Sequence, residues 1–534
     1  MRFPTTTRVL IAGGGPVGLT LSVLLSAYGV DHLLVEARPE VGRHPKARGV
    51  SARSMEVFRR CGVEDAIRAA GLPADQVFFY RGRDLVDPEF VRDGTGSPAQ
   101  DGTELTPSPG LICSQDALEP VLLRRAREAG GDRVRFGTRL ESFGQDVDQV
   151  HAVLMDASTG ARHVVRADWL VGCDGAGSGV RAGGGVAMAG PVGLGHFLSV
   201  RFEAPLGPVV ADRLSASYFL TRPGGGGFLA VDNDHRWIYQ HPFDPARPDE
   251  RLADPAHLAE LVRGAAGLPE LPVTIQDTMT WRMDAQLADA YRSGRVLLAG
   301  DAAHVIPPTG GHGMNTGIGD ADNLAWKLAA ITAGRAGTRL LDSYEAERRP
   351  VARQVIDISL DNSRNRSGYR IDDELLLSAV YRSGAVIGEG EAGRPGHSAA
   401  SGGDDGGPTG LSAYRPSGTP GARAPHVRLT GRPGVDSTLD LVGPGFTLVT
   451  QAPDDAWQRQ ADDAAAAGLA VTLRPLDDGR SREEQPGSWR RICQVPDGGA
   501  LLVRPDGHIA GRAEHPGAAG QLHRVLRQVL ALPS

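Results

Sequence analysis

The sequence predicts an α/β protein with three parts: a doubly wound, Rossmann-like dinucleotide domain, a β-sheet domain beside it, and a separate β/α unit at the C-terminus. Three observations carry that prediction. Gly13-Gly-Gly15-Pro-Val-Gly18 lies between a strand-like run and an apolar helix, the order that a dinucleotide site requires. Strand-like segments between residues 191 and 283 concentrate aromatic side chains. A stretch rich in Gly, Pro, Ser and Ala over 393–425 reads as a linker to the last unit. A chain of 534 residues calls for two or three packed units in any case.

The elements follow in order. Residues 8–12 form a short apolar strand, 19–28 an apolar helix ending at Gly29, and 32–36 a second strand, which completes one βαβ unit. Residues 135–140, 150–155 and 163–171 read as later strands. Phe197, Phe202, Tyr218, Phe219, Phe228, Trp237 and Tyr239 mark the strands of the sheet domain. Residues 295–299 form another buried strand that opens a second Gly-rich turn, with a long helix over 314–333. After the linker come strands at 446–450 and 470–473 around a helix at 454–468. A hairpin over 500–511 turns at Pro505-Asp-Gly507, and a helix at 518–532 ends the chain. The expected division is therefore 1–190 and 284–392 for the dinucleotide domain, 191–283 for the sheet domain and 426–534 for the last unit.

Composition narrows the function. With 41% hydrophobic and 23% charged residues the chain reads as a soluble globular enzyme. Net charge is −7, no basic run is present, and lysine occurs only at Lys46 and Lys327, which argues against a nucleic-acid partner. Cys61, Cys113, Cys173 and Cys493 form no CxxC pair, which excludes dithiol and zinc-ribbon readings and fits a reducing compartment. The first residues lack a signal-peptide pattern. The apolar stretch 17–30 is too short for a membrane span, so a cytoplasmic chain without a membrane partner is expected. The 71 glycines are nearly double the usual ~7%, and their positions matter more than their number.

Gly13 makes the tight turn of the fingerprint, Gly15 lets backbone reach a pyrophosphate, and Gly18 permits close helix–strand packing. Glu36 ends the second strand about 20 residues on, the place for a carboxylate on a ribose hydroxyl. The fingerprint alone does not separate FAD from NAD. Two later segments bear on that choice: the strand and turn Leu170-Val-Gly-Cys-Asp174-Gly175, and Gly300-Asp301 leaving a strand before Pro307-Pro308, Gly310, Gly311 and Gly313.

Carrying these three segments in this order, the chain resembles the class A (single-component) FAD-dependent monooxygenases. More narrowly it resembles the aromatic polyketide hydroxylases of antibiotic pathways. The stretches KARGVSARSMEVF from Lys46, Cys113-Ser-Gln-Asp-Ala-Leu-Glu119 and the run from Trp281 to His304 carry the narrower likeness. It also implies a thioredoxin-like C-terminal domain, here without redox cysteines. The resemblance places Gly13, Gly15, Pro16 and Val17 at the FAD pyrophosphate, and Glu36 and Arg38 at the adenosine ribose. Arg48 and Gln115 fall at the ribityl-pyrophosphate region, Leu140 at the adenine, and Asp301, after Gly300, at the ribityl chain. The loop Pro308 to Asn315, with Gly310, Gly311, Gly313 and Met314, would present backbone N–H groups to the flavin ring. Asp174 is read as holding FAD or helping NADPH or NADH to dock, or as capping the turn before Val180.

Tyr218, Phe228, Trp237, Tyr239, Trp281 and Met283 each fit a core; together they suggest a cavity for an aromatic polycycle. His304 and His312 flank the flavin loop without being assigned catalysis, and no catalytic residue or metal ligand is named. The resemblance implies that NAD(P)H reduces the flavin, O2 adds as a C4a-hydroperoxide, and a phenolic polyketide is hydroxylated. The alternative is Baeyer–Villiger-type insertion or ring cleavage from the same intermediate. A flavin dehydrogenase or a non-catalytic dinucleotide-binding protein is the reading from another class. A monomer or homodimer is expected.

Overall fold

The computed structural model describes residues 3–73, 79–93, 105–222, 224–364, 374–388 and 414–533. Of the expected linker, residues 393–413 lie outside the described residues. The strand Thr6–Ala12, the helix Pro16–Ala27 and the strand His32–Glu36 form the opening βαβ unit. Thr6–Ala12 pairs in parallel with His32–Glu36 on one side and with Arg162–Gly172 on the other. Val296–Leu298 continues the parallel set beyond Arg162–Gly172. These strands run apolar almost without alternation because helices cover both faces. The segment read as one strand at 135–140 is two, Val134–Phe136 and Thr138–Gln145, divided where Gly137 takes φ +69°.

The second sheet has seven strands. Thr274–Met283, Gly195–Glu203, Arg236–Pro242, Gly227–Ala230 and Ser217–Leu220 are neighbours in that order, and Phe79–Gly82 and Val91–Asp93 complete it from earlier in the chain. The helix Pro255–Ala266 covers one face through Leu258 and Val262, packed with Phe202, Tyr218, Phe228 and Trp237. The other face looks toward the dinucleotide domain. Arg48 ties the two together, donating to the carbonyls of Ala216 and Ala230 at 2.7 and 2.9 Å and to the Ser217 hydroxyl at 2.8 Å.

The long helix Gly313–Thr332 is buried through most of its length. Its first turn borders the dinucleotide domain's cavity, while Trp326 and Ala330 join the core of the C-terminal unit. That unit is a four-stranded sheet, Val471–Pro475, Phe446–Thr450, Ala500–Val503 and Ile509–Ala513 in order. All four cysteines are free. Among the described residues no helix is long and apolar enough to cross a membrane.

Candidate functional site

One cavity of about 2180 Å³ runs between the two larger sheets. Ordinary small-molecule sites span roughly 300–1,000 Å³, so this one has room for a dinucleotide and a second planar molecule. Gly13, Gly15, Pro16 and Val17 line one end, with Glu36, Arg38, Arg48, Gln115, Leu140 and Asp174 around them. Gly13 has φ +114°, and a Cβ there would lie 2.2 Å from the Cys173 carbonyl oxygen. At Gly15 a Cβ would meet nothing within 4 Å, because that side is open cavity. The helix Pro16–Ala27 starts there with no side-chain cap, so its first N–H groups are left for a ligand.

Glu36 accepts hydrogen bonds from the Gly14 N–H at 2.6 Å and from the Arg38 N–H and Nε at 3.0 and 2.8 Å. Burial alone would raise its pKa; these bonds outweigh it and hold the carboxyl below its usual range. Asp174 behaves as the capping reading requires. Its carboxylate accepts from Ser178 Oγ at 2.5 Å and from the Val180 N–H at 3.0 Å while still lining the cavity. The Arg181 guanidinium, on the helix that follows, donates to the carbonyls of Ala302 and Ala176.

At the other end stand Asp301, Pro308, Gly310, Gly311, Gly313, Met314 and Asn315. Gly310 and Gly311 have φ +126° and +72°, which only glycine adopts at low cost. Gly313 differs: a Cβ would come no closer than 3.7 Å to protein, so packing alone does not require glycine there. The long helix begins at Gly313 uncapped by any side chain, and its positive end therefore faces the cavity. The Asn315 side chain is fully used within the protein. It accepts from the Ser51 N–H and Ser54 Oγ and donates to the carbonyls of Gly49 and Gly311, so it clamps the loop and leaves backbone to meet a ligand.

Gly300, expected among the cavity residues, is not on its wall. It packs against the fingerprint helix, where a Cβ would lie 2.8 Å from Val17 Cγ2. Asp301 opens to the cavity, and the surrounding protein raises its pKa, an effect that His304 and Lys46 partly offset. His304 is wholly buried and bonded to Asp320 at 2.8 Å, which also accepts from the Gly300 N–H at 3.0 Å and from Arg348 Nε at 2.8 Å. It supports the loop from behind. His312 is buried, and desolvation lowers its pKa to about 4, so it is neutral in ordinary conditions. The backbone cradle at one end, the acidic group at 36 and the uncapped helix at the other fit FAD.

The expected aromatic wall needs correction. Trp281 and Met283 line the cavity, but Tyr218, Phe228, Trp237 and Tyr239 do not. Those four are at most 2% exposed and belong to the core under the helix Pro255–Ala266. Side chains alternate along a strand, so aromatics of one parity serve that core and their neighbours serve the cavity. Phe197, Ser199, Phe219, Leu229, Gln240 and Met279 are the neighbours, and sequence reasoning missed them. Period-two alternation, one residue on from Tyr218 and one on from Tyr239, is the signal that would have found Phe219 and Gln240. Phe197 and Trp281 are paired across the sheet and stack with centroids 4.5 Å apart and planes 16° apart, a flat apolar wall.

Comparison with known proteins agrees with this geometry. The FAD binding domain family matches residues 6–359, and the aromatic-ring hydroxylase C-terminal family matches 417–533. The chain is 40% identical over 551 residues to a putative polyketide hydroxylase of Streptomyces halstedii, covering 98% of this chain and 96% of that one. It is 38% identical over 560 residues to the tetracenomycin B2 monooxygenase-dioxygenase of Streptomyces olivaceus, covering 98% of each. Among solved structures, the flavin-dependent monooxygenase PieE in complex with FAD and substrate superposes with a TM-score of 0.88 at 32% identity, covering 99% of each chain. A ternary complex of aklavinone-11 hydroxylase with FAD and aklavinone gives 0.85 at 33% identity, covering 99% of this chain and 100% of that one.

Proposed function

The chain belongs to the FAD-dependent aromatic-ring hydroxylases, and we propose that it uses NAD(P)H and O2 to hydroxylate an aromatic polyketide. The observation that carries the substrate reading is the single cavity in which the dinucleotide cradle and the Phe197–Trp281 wall share one space. Relatives and neighbours whose names specify polyketide hydroxylases or an aklavinone complex support it. A cytoplasmic setting, where NAD(P)H is at hand and thiols stay reduced, suits the four free cysteines.

FAD, when bound, supplies electron transfer from NAD(P)H and the activation of O2. The protein's part is binding, orientation and charge. Backbone at Gly13, Gly15 and Val17 would hold the pyrophosphate, and Glu36 and Arg38 the adenosine ribose. Arg48, Gln115 and Asp301 would hold the ribityl region, with Leu140 at the adenine. The loop from Pro308 to Asn315 would meet the ring, and the positive end of the helix Gly313–Thr332 favours negative charge at that place. Phe197, Trp281, Met279 and Met283 would hold a planar substrate and keep water from it.

The test is consumption of NAD(P)H and O2 by the purified FAD-loaded protein with a panel of polycyclic phenols. At least one should stimulate turnover about tenfold or more over background, the effect of a substrate held in near-attack geometry. No stimulation by any of them contradicts the proposal. The name of the tetracenomycin B2 relative, a monooxygenase-dioxygenase, keeps a second outcome in view, oxidative cleavage or rearrangement of the ring. The carbon skeleton of the product, read by NMR, separates the two, since a gain of one oxygen in mass is common to both.

A further inference from the structure

A polar chain leads out of the cavity through the sheet. Trp281 Nε1 donates to Gln240 Oε1 at 2.9 Å, and Gln240 Nε2 donates to Ser199 Oγ at 3.0 Å. Ser199 Oγ lies 2.7 Å from His44 Nε2, and His44 Nδ1 lies 2.7 Å from Asp277 Oδ1. Elementary donor rules fix the first two directions. The indole nitrogen only donates, so the Gln240 oxygen faces it and the Gln240 amide hydrogens face Ser199. The single Ser199 hydrogen is then free to go to His44 Nε2. With Nε2 as the acceptor, the ring hydrogen sits on Nδ1, directed at Asp277.

The two ends of the chain differ in exposure. Ser199 is 1% exposed and lines the cavity, whereas the Asp277 side chain is 37% exposed. The charged groups around His44 are Asp277 and Arg201, which is 3.3 Å from the other Asp277 oxygen. On its own loop lie Lys46, also at the cavity, and the exposed Arg43–Glu40 pair.

We propose that Ser199, His44 and Asp277 form a proton relay that ionises a phenolic substrate in the cavity and delivers the proton to solvent. The inference rests on the polycyclic-phenol reading above. The phenol O–H bond breaks with its electron pair staying on oxygen, which leaves the phenolate. Its proton bonds to Ser199 Oγ as the serine's own proton passes to His44 Nε2. The imidazolium so formed is held by the Asp277 carboxylate and loses a proton to water through that half-exposed group. No oxidant or reductant enters the step. A phenolate is a far better electron donor to an electrophilic oxygen than the neutral phenol, so a dry cavity gains from such an exit.

The experiment titrates emodin, a trihydroxyanthraquinone whose visible spectrum changes on ionisation. It is bound to the oxidised FAD-loaded protein without NAD(P)H, so that no turnover intervenes. The relay predicts that emodin ionises on the wild-type protein about one pH unit or more below its midpoint on Ser199→Ala and His44→Phe, with Asp277→Asn between them. FAD content and melting temperature verify that each variant is folded, and either of the first two suffices. The pH profile of substrate-stimulated NAD(P)H oxidation should shift in the same direction. Identical emodin midpoints on the wild type and a folded, emodin-binding variant overturn the relay. A wild-type protein that takes up no emodin and no other polycyclic phenol overturns the polycycle reading, and the relay with it.

Discussion

The two ends of the helix Gly313–Thr332 bury polar groups in opposite ways. Its first turn meets the cavity with uncapped N–H groups, positive-φ glycines before it and a neutral His312. Its second half meets the C-terminal unit through a network in which each buried charge is answered. Lys327 Nζ lies 2.9 Å from Glu347 Oε2, and Arg504 grips the same carboxylate at 2.6 and 2.9 Å. Arg504 also pairs with Asp506, which accepts from Trp326 Nε1 at 3.1 Å. Arg53 and Arg423 close on Glu56 nearby. Both regions are polar and buried, but only one leaves hydrogen bonds for a ligand. Buried charge alone therefore marks a structural joint here, and function lies where backbone donors are left unmet.

The largest expected effect tests the joint. Glu347→Leu leaves Lys327 and Arg504 buried without their carboxylate, and should destabilise the protein by about 3–5 kcal/mol in denaturant unfolding. A loss below about 1 kcal/mol would mean that the network carries little of the joint. At the other end, Gly13→Ala forces a Cβ against the Cys173 carbonyl in a left-handed turn. FAD affinity should fall by about two orders of magnitude while the fold survives, giving colourless protein.

Acid should weaken the cavity end through His312. Its folded pKa lies below the free value, so the unfolded chain binds more protons between about pH 6.5 and 4. Stability from this group is present above pH 6.5 and lost as pH falls through that window, on the order of 3 kcal/mol by pH 4. His312→Asn should flatten that part of the stability curve.

The smallest pair separates wall from core. Trp281→Leu should raise KM about tenfold with FAD retained, since it removes one face of the stacked wall. Tyr218→Phe removes two buried bonds, the one its hydroxyl donates to Asn233 at 2.9 Å and the one it accepts from the Ser215 N–H at 3.0 Å. It should cost about 1–2 kcal/mol of stability and leave KM unchanged. A KM effect at Tyr218 would return that residue to the cavity.

The sequence showed the opening βαβ unit and the Gly-rich loop before the long helix clearly, because glycines at fixed offsets report close backbone approach. It showed the sheet domain as a domain but not which face its aromatics serve. Tyr218 and Phe219 are adjacent and differ only in parity, and the helix that settles the matter, Pro255–Ala266, comes later in the chain. The joint was illegible, because Arg504 and Glu347 are 157 positions apart and only the folded chain brings them together. The His44 relay was hidden for the same reason, with Ser199 155 positions from His44.

The most direct test of the central claim is turnover under oxygen-18 gas with a polycyclic phenol that stimulates NAD(P)H oxidation. The account predicts an intact ring carrying one labelled oxygen, with one NAD(P)H consumed per product formed. A product whose new oxygen comes only from water, or NAD(P)H oxidation that ends in hydrogen peroxide with every substrate, would contradict it.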